Sequence, residues 1–134
     1  MNSRRRKFLI GFGICGALFL AVRGVALVPS IQDSLCRLMS RAVYRDSPTA
    51  VVALLIVGAS PNRSVHGSMP AMHAAAARDR VAILRLLLAV GADPNLKTKF
   101  EVTPLWEAEN RKAEAAARLL RVAGGYAYIS PNAP

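Results

Sequence analysis

Gly58-Ala59-Ser60-Pro61-Asn62 returns 33 residues later as Gly91-Ala92-Asp93-Pro94-Asn95, and Gly124-Gly125 stands 33 residues further on. Each element of this block has a local meaning. Glycine closes a helix in the left-handed conformation, proline bars continuation, and asparagine favours the turn that follows. A fixed period of this length marks a stacked array of helical units. It moves the functional question from catalysis to recognition, because such arrays present an extended face.

Between the two turns lies the best-kept unit. Ser68-Met69-Pro70-Ala71-Met72-His73-Ala74-Ala75-Ala76-Ala77-Arg78-Asp79 leads into a second apolar run over 80–90. Val81, Leu84 and Leu88 share one helical face, and Ile83, Leu86 and Leu87 widen it. The unit resembles an ankyrin repeat, with a first helix opening at His73 to Ala76 and a second over 81–88. Val102-Thr103-Pro104-Leu105-Trp106-Glu107-Ala108 resembles the opening of another, with tryptophan where histidine usually stands. There Thr103 suits a cap, Pro104 suits the first turn, and the second helix is expected over 114–123. An earlier unit rests on period and turn. It has a first helix over 37–45 and a second over 48–57, opened by Ser47 before Pro48.

The resemblance covers about residues 35–125 and implies an all-α solenoid of helix-turn-helix units with short hairpin loops. The units run approximately over 37–67, 68–100 and 101–125, with a cap or tail at 126–134. It also implies an opening threonine and histidine that hydrogen-bond to each other. The middle unit keeps His73 but has Pro70 for threonine; the third keeps Thr103 but has Trp106 for histidine. Neither holds the whole pair.

Residues 1–28 have a different character. Arg4, Arg5, Arg6 and Lys7 precede a run over 8–28 that is apolar except for Arg23. Two readings follow. The run is a secretory signal, with Gly24-Val25-Ala26 as a small-residue cleavage site. Or it is an anchor, long enough to cross a bilayer as a helix. Arg5-Arg6-Lys7-Phe8-Leu9-Ile10 resembles a bacterial twin-arginine export signal, with Ile10 where lysine is usual. Either reading places the repeats facing the periplasm from the inner membrane, or free in the periplasm after cleavage. Residues 29–36 are expected to link this segment to the array.

The chain carries 18 cations against 8 acids, a net charge of +10. Five cations lie in 1–28, leaving 13 against 8, or +5, for the remainder. That excess suits acidic partners or membrane surfaces and falls short of a nucleic-acid-binding stripe. Cys15 and Cys36 read as small apolar filler. Two histidines with no cysteine or carboxylate cluster give no metal-ligand spacing, and no nucleophile elbow or phosphate loop is present. No cofactor and no small-molecule substrate are expected, and the chain reads as no enzyme.

What remains is a protein-docking surface. Arg45, Arg78 and Arg111 recur at the period, each near the end of a first helix, and the resemblance puts them on the concave side. Arginine suits carboxylates through paired hydrogen bonds; the plainer reading is a helix end compensating its dipole. Arg63 and His66 at one hairpin tip, Lys97, Lys99 and Phe100 at the next, and Tyr44 and Trp106 on first helices complete the candidates. The expected function is a non-enzymatic module docking another protein. A structural or protective partner for an exported enzyme or a toxin is the second expectation.

Overall fold

The computed structural model describes residues 29–131 apart from His66. Six helices follow one another: α1 (Pro29–Tyr44), α2 (Pro48–Val57), α3 (Ala71–Ala77), α4 (Val81–Ala89), α5 (Pro104–Asn110) and α6 (Glu114–Val122). No strand interrupts them among the described residues. The expected signal or membrane helix at 8–28 lies outside this range. Among the described residues no helix is long and apolar enough to cross a membrane.

The helices form two rows. α1, α3 and α5 stack side by side as an inner row, and α2, α4 and α6 as an outer one. Each inner helix packs on the outer helix that follows it. The core runs continuously between the rows, with Met39, Val43, Val51, Met72, Ile83, Leu84, Leu87 and Leu120 almost fully buried. Burying each of these large side chains contributes about 2 kcal/mol. On α4 the deepest positions are Ile83, Leu84 and Leu87, while Val81, Leu86 and Leu88 are half-buried. The helix is thus rotated slightly from the face that Val81, Leu84 and Leu88 would define.

Residues 29–36 are a correction. They are not a linker but the first two turns of α1. The reason is the apolar stripe: Gln32, Leu35, Cys36, Met39, Ser40 and Val43 are buried at helical spacing, unbroken from end to end. Pro29 at the first turn costs no helical hydrogen bond.

All six helices end alike. After each outer helix Gly58, Gly91 and Gly124 take φ of 101°, 82° and 84°, and paired backbone bonds close the turn, such as Gly91 N–H to the Leu88 carbonyl and Ala92 N–H to Leu87. After each inner helix the same geometry falls on Asp46, Asp79 and Lys112, at φ of 53°, 56° and 58°. These also recur every 33 residues. Helix starts differ more. Ser47 accepts from Ala50 N–H and Thr103 from Trp106 N–H, whereas α3, α4 and α6 have no side-chain cap of their own. Asp79 supplies the missing one for α6: its Oδ1 accepts from Ala116 N–H at 2.7 Å.

Polar staples tie each unit to the next, and they keep the period. Asn62 Oδ1 accepts from Asp93 N–H at 2.8 Å, and Asn95 Oδ1 from Tyr126 N–H at 3.0 Å, with Asn95 Nδ2 donating to the Gly124 carbonyl. Gln32, in the first turn of α1, does the same for the first turn: it donates to the Gly58 carbonyl at 2.8 Å and accepts from Ser60 N–H. A second series joins inner helices to loops. Ser40 Oγ donates to the Met69 carbonyl at 2.8 Å, and His73 Nε2 to the Val102 carbonyl at 2.9 Å. The segment after Gly125 docks on the third unit: Thr103 N–H donates to the Tyr128 carbonyl, and Tyr128 N–H donates back to Thr103 Oγ1.

Candidate functional site

The inner row and the loops that follow the outer helices line two adjoining clefts. One, of about 360 Å³, lies between α1 and the loop at Gly67–Met69, with Arg37, Ser40, Arg41 and Tyr44 on its helical wall. Helical spacing puts Arg37, Arg41 and Tyr44 on one exposed stripe of α1. The Arg78 guanidinium lies over the Tyr44 ring, 4.4 Å from its centroid. The other cleft, of about 440 Å³, runs between neighbouring loops and is lined by Val65, Met69, Pro70, Thr98, Lys99 and Phe100, with Ser64, Gly67 and Ser68. Gly67, Ser68 and Met69 are shared, so a single ridge separates a cationic cleft from an apolar one. No carboxylate lines either.

The ridge is fixed from beneath. Ser40 Oγ holds the Met69 carbonyl and accepts from Ser68 Oγ at 3.1 Å. Cys36 lies one turn earlier, its thiol donating to the Arg63 carbonyl at 2.9 Å. Burial pushes that thiol up, against a smaller lowering by the Arg63 guanidinium, while Asp33 adds to the rise. It is a protonated donor and not a nucleophile.

The expected site residues fall into three groups. Tyr44, Arg78, Lys99 and Phe100 meet at or beside the clefts, with Lys99 over the Phe100 ring and Phe100 half in solvent. Arg63 and Lys97 are committed to the fold. Arg63 pairs with Asp33 at 2.8 Å, and Lys97 lies 4.0 Å from the centroid of the Tyr128 ring and 3.8 Å from Glu101. Arg45 is exposed after α1; Arg111 caps α5 and reaches back to Glu107 at 3.2 Å; Trp106 is half-buried in the first turn of α5. His66 lies outside the described residues.

The candidates read from the sequence did not include Arg37, Ser40 and Arg41, which line the first cleft. Their signal was present in the i, i+4, i+7 spacing of Arg37, Arg41 and Tyr44, but a helix begun at 37 hides the stripe by placing Arg37 at its frayed end.

His73 lies beneath the same layer and is 1% exposed. The Val102 carbonyl can only accept, so Nε2 carries the proton, and Nδ1 has no hydrogen-bond partner among the described residues. Burial pushes its pKa below the ordinary value, against smaller opposing effects of the Val102 hydrogen bond and the Glu107 charge. A neutral imidazole locked to a backbone carbonyl is a strut and not an acid–base group. Among the described residues no group of histidine, cysteine and carboxylate side chains can hold a metal ion.

Residues 69–99 match the ankyrin repeat. This is the middle unit, from the loop ridge through α3 and α4 to the tip of the following loop. Ankyrin repeats are typically non-enzymatic protein-interaction modules. No curated protein matches the chain at a significant level. Outside 69–99, α1–α2 and α5–α6 repeat the paired arrangement of α3–α4 at the same spacing.

Proposed function

We propose that the chain is a non-enzymatic docking module that holds a partner protein on its inner-helix side, and that residues 1–28 anchor it to a membrane or direct its export. The observation that carries the first part is the pair of adjoining clefts. One side of the Gly67–Met69 ridge offers Arg37 and Arg41 beside Tyr44, the other an apolar slot ending at Phe100. A partner segment with a carboxylate next to an aliphatic or aromatic side chain satisfies both. Arginine and aromatic residues are the usual anchors of such contacts. Arg45 and Arg78 extend the positive field along the same side. The second part is supported by the four cations that precede the apolar run over 8–28.

Affinity capture with the full chain tests the docking surface. Arg37→Glu with Arg41→Glu, and separately Phe100→Ala, should each lower recovery of the same partner by about tenfold or more. Reversal of Arg45, Arg78 and Arg111 should weaken capture less and mainly through its salt dependence. Unchanged recovery after the Arg37, Arg41 and Phe100 substitutions together removes this site. The mass of the mature chain separates retention of residues 1–28 from their cleavage.

A further inference from the structure

The outer row carries aliphatic side chains left in solvent. α2 has one hydroxyl, Thr49, and no charge, and Val52, Ile56 and Val57 on it are exposed. Val90 just beyond α4 and Val122 at the end of α6 are also exposed, Val122 at 88%. Ile56, Ala89 and Val122 recur at the 33-residue period, as do Val57 and Val90, so these residues lie at one end of all three outer helices. That end is also where the chain enters the module, because Gln32 in the first turn of α1 holds the Gly58 carbonyl. The described chain therefore starts, at Pro29, beside this rim, and the apolar run over 8–28 directly precedes it in sequence. One turn back along the same stripe stand Arg85 before Ala89 and Arg118 before Val122, both exposed and in no ion pair among the described residues. Glu114 is the only acid on the three outer helices.

We propose that this outer rim rests on an anionic lipid surface, with Ile56, Val57, Val90 and Val122 at the level of the acyl chains and Arg85 and Arg118 on the headgroups. Charge decides between the possible occupants. Residues 8–28 laid over the rim would shield the aliphatic side chains, but they hold one cation and no acid, and so give the two arginines no counter-charge. A bilayer with anionic headgroups supplies both halves of the contact. No outer-helix residue lines either inner-row cleft, so both stay open to a protein partner. The inference rests on the reading of 8–28 as membrane-associated, and its test separates the two.

The full chain carrying Cys15→Ser, Cys36→Ser and Val122→Cys is labelled at 122 with an environment-sensitive fluorophore. It is mixed with vesicles of phosphatidylglycerol and phosphatidylcholine containing spin-labelled lipid. Quenching at 122 should far exceed that of the same probe placed by Lys99→Cys on the loop tip. Neutralising Arg85→Gln and Arg118→Gln should weaken the docked state by about fivefold per charge while the chain stays vesicle-bound. A vesicle-bound chain whose 122 probe is as solvent-exposed as that at 99 overturns the rim contact and leaves attachment through 8–28 standing. A 122 probe that is shifted to the blue but unquenched assigns the rim to the chain's own apolar segment and likewise overturns the lipid contact. A chain that does not associate with vesicles overturns both readings.

Discussion

Pro70 and His73 occupy the same positions in the middle unit as Thr103 and Trp106 in the third, and comparing the two units shows what each substitution costs. Thr103 Oγ1 accepts from Trp106 N–H, while Pro70 offers α3 no side-chain cap and leaves His73 Nδ1 without a donor. Pro70→Thr should therefore stabilise the fold by about 1 kcal/mol through the added cap and hydrogen bond. That raises the thermal midpoint by about 4–8 °C for a module of this size. The same atom gives a pH signature. The folded pKa of His73 is lowered, so its contribution is complete above the unfolded value near 6.5 and is lost as pH falls through the folded one. The thermal midpoint, followed by circular dichroism, should drop between about pH 7.5 and 5.5, and His73→Gln should flatten that drop. An unchanged slope in His73→Gln would assign it to other groups. The incomplete pair was legible in the sequence. The acceptor of His73 Nε2 was not, because Val102 lies in the next unit and only stacking brings it there.

Among the elements, the turns within units are as regular as those between them. Glycine at 58, 91 and 124 announces one series, and the left-handed residue is then easy to read. At 46, 79 and 112 the same conformation falls on two aspartates and a lysine, and no residue type marks it. Aspartate tolerates this region better than most, and Asp79 uses the position to cap α6 across a unit boundary. Asp46 instead holds Arg80 at 2.7 Å. Asp79→Ala should cost about 2 kcal/mol, from a lost cap and a worse left-handed residue. Asp79→Asn keeps an oxygen acceptor and should stay close to the parent in urea titration. A parent-like Asp79→Ala would show that Ala116 N–H is satisfied another way. Helix boundaries followed the same logic. Pro48–Val57 was legible from Ser47-Pro48 and Gly58, whereas the start of α1 was obscured because residues 29–36 hold mixed polarity and carry their apolar positions only at helical spacing.

For the whole molecule, the order of the stack was legible from the period alone, and the contacts that close its ends were not. The first unit uses Gln32 to hold Gly58 and Ser60 in the way Asn62 and Asn95 hold the turns after them. The last unit is closed by residues 126–128 lying along Thr103. Both devices depend on three-dimensional adjacency that no local pattern reveals. Since each unit contacts only its neighbours, damage at a joint should stay local. Gln32→Ala should lower amide exchange protection in α2 and leave α6 close to its parent values. Asn95→Ala should do the reverse, with each costing about 1–2 kcal/mol. Equal loss across all six helices after either change would mean that the array melts as one body.

The staples at Gln32, Asn62 and Asn95 also set how the module carries load. A pull applied between its two ends should run through them in series, alongside the apolar packing that joins neighbouring units. Extension should then proceed by discrete releases, one unit at a time. A partner held in the cleft between the Ser64–Pro70 and Thr98–Phe100 loops bridges two successive links of this chain. On the proposed docking, such a partner would stiffen the module when bound.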